Sequence, residues 1–341
     1  MSTRWGMTVP LGGVPLADHA AVFAALADAG FTDLWSSEVS GTDAFTPLAL
    51  AAAWQPRMRL GTAIAPVFTR GPAVLAQSAA ALAEAAPSRF QLGIGASSPV
   101  VVSDWNAVEH AKPYARSRDL LRFLRTTLAG GTVDEEFETF TVRRFRLERP
   151  PAIPPQVLLA ALRPGMLRLA AREADGVILN WLASTDLPQI LAELARPSAS
   201  PEAANGELSA PVPDGFEVVA RIFVCPTPDA TYARTVARRL IAAYLTVPAY
   251  ADFHRWLGRE EVLTPVLKAW AAGDRRGAVS AIPDSLADEL IMHGEPEQCR
   301  DQVQAYAKAG VTVPVMALLP TPDLEKAGPE TLTALLSRLA P

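Results

Sequence analysis

Three times along this chain of 341 residues an amphipathic segment stops at a glycine and a short apolar run begins. Near the start, Asp18 is placed to cap a segment in which Leu16, Phe23, Leu26 and Ala27 recur at helical spacing. Gly30 stands where a left-handed residue would end that helix, and Phe31 to Glu38 then reads as a strand. The same junction recurs where Ala-Arg-Glu-Ala-Asp-Gly176 precedes Val-Ile-Leu-Asn-Trp181, and where Ala-Tyr-Ala-Lys-Ala-Gly310 precedes Val-Thr-Val-Pro-Val-Met316. A repeated helix-glycine-strand junction is the pattern of consecutive αβ units, and it restricts the chain to sheets built largely from parallel strands.

Further strands are predicted at Trp5 to Val9, Arg57 to Ala65, Phe90 to Gly95, Gln156 to Ala161 and Glu217 to Cys225. That makes eight, each except the last followed by alanine-rich or amphipathic sequence long enough for a right-handed crossover. Eight such units suggest closure into a (β/α)8 TIM barrel, which occupies about 250 residues as one domain. The rest is assigned to insertions in a single domain spanning 1–341. Residues 132–147 alternate Val133, Phe137, Phe140 and Val142 with charges and predict a hairpin. Residues 197–215 are rich in Pro, Ser, Ala and Gly and read as a loop. Residues 246–290 carry Tyr250, Phe253, Trp256 and Trp270 and read as an extra helical layer. The rival is an open doubly wound sheet, whose glycine fingerprint belongs after the first strand. Here the near match Gly93-Ile94-Gly95 falls on the fourth strand and lacks the third glycine, so the rival is rejected.

Net charge is -5, with both signs scattered, and no positive field exists to neutralise a nucleic-acid backbone. Cys225, Cys299 and four isolated histidines fall outside metal-ligand spacings, so no metal site is expected. Apolar runs fall well short of the roughly 20 residues that span a bilayer, and Met1 to Pro10 lacks a signal peptide's apolar stretch. The expectation is a cytoplasmic protein with neither membrane nor nucleic-acid partners.

Several long blocks resemble the luciferase-like oxidoreductase superfamily, specifically its F420-dependent branch: FTDLWSSEVSGTDAFTPLALAAAW, LGTAIAPVFTRGPAVLAQ followed by RFQLGIGAS, LLAALRPGMLRLAAREADGVILNW, and HGEPEQCRDQVQAYAKAGVTVPVM. The similarity runs in order through most of the chain. It implies a luciferase-like barrel holding F420, or alternatively FMN, at the C-terminal ends of its strands, generally as a homodimer. The expected activity is hydride transfer between F420 and a small, apolar or cyclic organic substrate. With FMN the class becomes monooxygenation, and a catalytically inactive barrel serving as a binding or assembly protein is a further alternative.

The resemblance also assigns residues. Glu38, closing the second strand, would manage a proton beside the cofactor ring; a solvated rim acid is the plain alternative. Ala63-Ile64 matches the family's non-prolyl cis bond, with Ala65-Pro66 as the neighbouring confounder. Gly95, Ala96, Ser97 and Ser98 would let the ring or ribityl chain approach the backbone, or simply form a tight turn, and Trp105 and Asn106 would border it. Ala161, Leu162 and Arg163 would meet the pyrimidine edge. Asn180 and Trp181 stand near the implied phosphate pocket with Ser184 beyond; no lysine is there, which leaves Arg221 as a substitute. Among the histidines, His254 sits amid aromatic residues and is the foremost candidate for a relay. Arg116, Arg118, Arg122 and Arg125 share helical spacing and read as a solvated or intersubunit face.

Overall fold

The computed structural model describes residues 4–196, 215–325 and 328–341. Eight parallel strands follow one another around a closed barrel: Gly6–Thr8, Asp33–Ser36, Arg59–Thr62, Phe90–Gly95, Gln156–Ala160, Gly176–Asn180, Glu217–Cys225 and Val313–Leu318. We number them first to eighth in that order. Closure is made by the eighth strand on the first, with Val315 opposite Gly6. The eight predicted strands are all present, and no helix among the described residues is long and apolar enough to cross a membrane.

Two of the three junction glycines behave as expected, with Gly30 at φ 105° and Gly310 at φ 111° reversing the chain out of a helix. Gly176 does not. It already lies in the sixth strand, where a Cβ would come within 2.6 Å of the Glu217 carbonyl oxygen, so its role there is close approach of two strands.

The insertion at 132–147 forms the antiparallel hairpin Val133–Glu136 with Thr141–Phe145, and Phe140 and Phe145 pack on Phe123. The loop expected at 197–215 falls, apart from Gly215, outside the described residues. Residues 246–290 supply four helices, Pro248–Trp256, Glu260–Ala271, Arg275–Ser280 and Asp284–Leu290. Their apolar residues join those of Ala230–Leu245 in a second core against the outer end of the seventh strand. A short strand missing from the sequence reading, Ile291–His293, pairs with Phe223 to Cys225 where the sixth strand has already ended.

The barrel interior is layered. At the N-terminal end, Arg4 bonds Asp33 at 3.0 Å and Glu217 at 2.6 Å, and Gln91 joins Gln156 at 2.6 Å. Burial is the largest influence on Asp33 and raises its pKa, outweighing the Arg4 charge. Above these groups lie Trp35, Leu158, Ile178, Val219, Val313 and Val315, all buried. The Trp35 indole fits because Gly6 and Gly61 have no side chain: a Cβ there would stand 2.8 Å and 2.4 Å from its ring. The floor is thus sealed by paired charges and a packed middle layer.

Candidate active site at the barrel mouth

One step further along the strands, the inward residues Thr8, Ala63, Ile64, Ala160, Asn180 and Arg221 are partly accessible, whereas the layer beneath is closed. The C-terminal mouth is therefore open, the end at which barrel enzymes place their chemistry. The third strand breaks here. Ala63 N donates to Ser36 O at 2.6 Å, Glu38 N donates to Ile64 O at 3.2 Å, and the chain resumes pairing at Ala65–Pro66 against Ile94 and Gly95. Ala63–Ile64 is cis, and the other cis bond is Val9–Pro10 rather than Ala65–Pro66.

Thr62 holds the break together. Its hydroxyl donates to Gly93 O at 2.8 Å and accepts from Gly93 N at 2.9 Å, replacing the backbone ladder lost there. Gly93 must lack a side chain, since a Cβ would lie 1.9 Å from the Thr62 carbonyl oxygen. Two residues on, a Cβ on Gly95 would meet Ala160 Cβ at 2.9 Å and Ile64 Cγ1 at 3.2 Å. Ile64, Gly95 and Ala160 thus form one flat, side-chain-poor wall spanning three adjacent strands.

Beyond that wall, Ala96, Ser97 and Ser98 leave the fourth strand partly exposed, with Ser97 at φ 61°. Ser98 is engaged in capping the segment Val100–Trp105, accepting from Val101 N at 3.4 Å. Trp105 is 54% exposed, and Asn106 donates to Val101 O at 2.7 Å, so both belong to this outer segment. His110 reaches back: its Nε2 lies 3.2 Å from Ala96 O and its ring is 4.8 Å from Phe68.

Glu38 is not a free rim acid. Its carboxylate accepts from Arg70 Nη2 at 2.7 Å and Nε at 3.1 Å, and from Ala44 N at 3.2 Å. Arg70 in turn lies 4.9 Å above the Phe45 ring and 3.5 Å from Asp43. The group ties the loop after the second strand to the segment after the third.

On the fifth and sixth strands the structure divides the predicted residues. Ala161 is buried and donates to Ile178 O at 3.1 Å, and Leu162 packs against the core. Arg163 is exposed and pairs with Asp252 at 2.7 Å. Asn180 lines the mouth, its Nδ2 donating to Tyr250 Oη at 3.2 Å and its Oδ1 buried without a partner. Trp181 is 1% exposed, packed 4.3 Å from Phe223 and 4.8 Å from Tyr244. Near Ser184 the chain supplies its own anion: the buried Asp186 carboxylate accepts from Ala183 N at 2.7 Å and pairs with Arg259 at 3.0 Å. The helix start beyond Ser184 is thus already capped by a carboxylate of the chain, itself paired with Arg259.

The histidines separate equally clearly. His254 is buried, and burial followed by the Arg259 charge pushes its pKa down to about 3, so it is neutral. His19 accepts from Leu11 N at 2.9 Å in the core, and His293 faces Asp288 at 3.0 Å. His110 alone of the four borders the mouth. Of the helical arginines, Arg118, Arg122 and Arg125 pair with Asp119, Glu173 and Asp175, while Arg116 donates to Val67 O at 2.9 Å. A cleft of about 570 Å³ lies at the opposite rim between Arg122, Arg125, Glu173 and Asp175. Those charges neutralise one another, and nothing there converges on a reacting atom. Sequence reasoning missed Thr62, Arg70 and Tyr244 and named Tyr250 only among the insertion aromatics; the family spacing around Gly61 to Ile64 hinted at the first.

A family model described as luciferase-like monooxygenase matches residues 2–313. A Mycobacterium tuberculosis protein named "Putative coenzyme F420-dependent oxidoreductase" is 29% identical, over 89% of this chain and 92% of its own. A 5,10-methylenetetrahydromethanopterin reductase of Archaeoglobus fulgidus is 26% identical, over 88% of this chain and 89% of its own. Among solved structures, the F420-dependent tetrahydromethanopterin reductase of Methanopyrus kandleri superposes with a TM-score of 0.75 at 20% identity, covering 100% of this chain and 99% of that one. At that identity the likeness speaks for the fold.

Proposed function

The chain belongs to the luciferase-like monooxygenase family, and from that premise we propose that it is an F420-dependent oxidoreductase acting on a small organic substrate. The observation that carries this reading is the flat wall of Ile64, Gly95 and Ala160 at an open barrel mouth. A wall poor in side chains suits a planar three-ring group, and F420 is the cofactor named in the Mycobacterium tuberculosis relative and the Methanopyrus kandleri structure. When bound, F420 supplies a ring carbon, C5, that gives or takes a hydride; the protein supplies position and electrostatics.

In this reading Ile64, Gly95 and Ala160 support one face of the ring, and Ala96 with Ser97 offer backbone and hydroxyl groups at its edge. Thr62 and Gly93 fix the shape of the wall from behind. Glu38 was the proton-handling group of the sequence reading. Clamped by Arg70 and Ala44, it serves here as a positioning residue that sets the rim. His110, which follows the Val100–Trp105 segment and reaches back to Ala96 O, is the side chain placed to hold or move a proton at its ring nitrogen. Ala161 and Leu162 back the fifth-strand edge from the core. Trp181 acts by packing, and Arg163 takes no part.

The test is a titration of the purified protein with F420 and, separately, with FMN, followed by tryptophan fluorescence. Micromolar F420 binding with no FMN response is expected. FMN binding alone would move the protein to the oxygen-using branch, and binding of neither would leave a barrel without redox function.

A further inference from the structure

Arg221 is a guanidinium at the mouth with no carboxylate partner among the described residues. It extends inward from the seventh strand one layer above the buried Val219, at the level of the mouth. The seventh strand lies diametrically across the barrel from the third, so Arg221 faces the Ile64 wall from the far side of the cavity. Its Nε is buried and has no hydrogen-bond partner. Its guanidinium lies 4.8 Å from the Phe223 ring centroid. The groups that act on its charge are Tyr244, which also hydrogen-bonds it, and Tyr250, with no carboxylate among them. Burial accordingly lowers its pKa. Charges at the barrel floor are treated differently: Arg4, Asp33 and Glu217 neutralise one another.

The neighbours of Arg221 are also set to donate. Asn180, opposite Arg221 in the strand register, spends its amide hydrogen on the Tyr250 oxygen, which leaves the phenolic hydrogen to give. Burial pushes the Tyr250 pKa up to about 12, so that hydrogen stays in place at any working pH. Trp181, Phe223, Tyr244 and Tyr250 form an aromatic surround with successive ring centroids 4.3 to 5.8 Å apart. A cation with an unspent buried donor beside aromatic rings is destabilising unless an anion meets it.

We infer that Arg221, Tyr244 and Tyr250 form an oxyanion subsite that takes the carboxylate of an aryl or alkyl acid, held across the cavity from the flat wall. This rests on the proposed oxidoreductase reading only for the identity of what lies on that wall. The same chemistry would accept an anionic group of the cofactor itself, and the two sources separate experimentally.

The experiment uses the full chain, free and loaded with F420, with benzoate and its neutral counterpart benzamide as probes. Binding is followed by tryptophan fluorescence, to which Trp181 contributes, and by the thermal midpoint. Benzoate is expected to quench saturably and to raise the midpoint, with benzamide at least tenfold weaker. Arg221→Met should weaken benzoate at least tenfold, and Arg221→Lys, which keeps the charge, by less than about threefold. The Met variant should fold with an unreduced midpoint, because it replaces a guanidinium that has no carboxylate partner by an apolar chain of similar length. If benzoate binds the loaded protein and Arg221→Met leaves F420 affinity within twofold, the carboxylate belongs to the substrate. If benzoate and F420 compete and the variant weakens both, the oxyanion belongs to the cofactor. Equal binding of benzoate and benzamide, or benzoate binding untouched in Arg221→Met, overturns the subsite. Wild-type protein that ignores F420 yet discriminates benzoate from benzamide would remove the oxidoreductase reading and leave the subsite standing.

Discussion

Two glycines two residues apart on the fourth strand should respond to the same substitution in opposite ways. In Gly95→Ala the new methyl would stand 2.9 Å from Ala160 Cβ and 3.2 Å from Ile64 Cγ1. A relaxation of about half an ångström accommodates it, because the mouth is open on one side; overpacking of this size costs about 1–3 kcal/mol. The reduced freedom of the unfolded chain returns about 0.4–1 kcal/mol, for a net loss of about 1–2 kcal/mol. With an unfolding entropy of about 2.1 cal/mol/K per residue, a chain of 341 residues loses about 1.5–3 °C in Tm for that cost. The wall, however, gains a methyl where the planar ring would lie, and F420 affinity should fall at least tenfold. In Gly93→Ala the methyl would lie 1.9 Å from a backbone carbonyl oxygen and 2.3 Å from Ile178 Cδ1, enclosed on all sides. No local shift relieves that contact, and the variant should fail to accumulate as soluble protein. The assay pairs a thermal melt with F420 titration of Gly95→Ala. F420 affinity within twofold of wild type in a folded Gly95→Ala protein would refute the placement of the ring on this wall.

Three further outcomes follow from the geometry. Glu38→Ala removes the acceptor shared by Arg70 and Ala44 N, and should cost about 1–3 kcal/mol in urea unfolding; an unchanged midpoint would end its positioning role. His254, with a folded pKa of about 3, binds its proton less tightly folded than unfolded. Its contribution is therefore present above pH 6.5 and is lost as pH falls toward 3, at up to about 1.4 kcal/mol per pH unit. Wild type should lose more thermal stability between pH 7 and pH 5 than His254→Leu, and parallel losses would contradict the assignment. Arg163→Ala should leave F420 affinity within twofold, since its guanidinium pairs with Asp252; a tenfold loss by fluorescence titration would return Arg163 to the site.

The strands were legible because each carries its own local signal: a β-branched run, a glycine stop, a crossover of sufficient length. Gly30 and Gly310 could be read as helix stops because the left-handed conformation is a local property. Gly176 looked identical in sequence, yet its reason for being glycine is the Glu217 backbone of the next strand, over forty residues away. Gly6 and Gly61 share that condition, for the indole they accommodate comes from the second strand, which lies between theirs. The site was legible in part on the same principle. The wall could be placed through the family spacing, but the state of Glu38 depends on Arg70, and that of Arg163 on Asp252. Ion-pair partners separated by 32 and 89 positions leave no periodic trace. Trp181 shows the limit most plainly: a strand-end tryptophan reads as a rim residue, and only the insertion helices reveal that it is walled in by Tyr244 and Phe223.

The difference between the two ends of the barrel argues for which one works. At the floor, Arg4 pairs with Asp33 and Glu217, and the same two carboxylates act on Arg59, so positive charge there has carboxylates to meet it. At the mouth, the Arg221 Nε and the Asn180 oxygen are buried on one side without a hydrogen-bond partner, while the facing side is stripped to glycine, alanine and one isoleucine. Folding alone would gain from compensating the first side and filling the second. A chain that does neither, and that spends a side-chain hydroxyl of Thr62 on holding the wall in shape, keeps its unsatisfied polar atoms and its bare surface on opposite sides of the barrel mouth. Two surfaces so unlike, held in register by one sheet, are suited to two different guests: a planar one against the wall and a charged one against the arginine, with the distance between them set by the barrel itself.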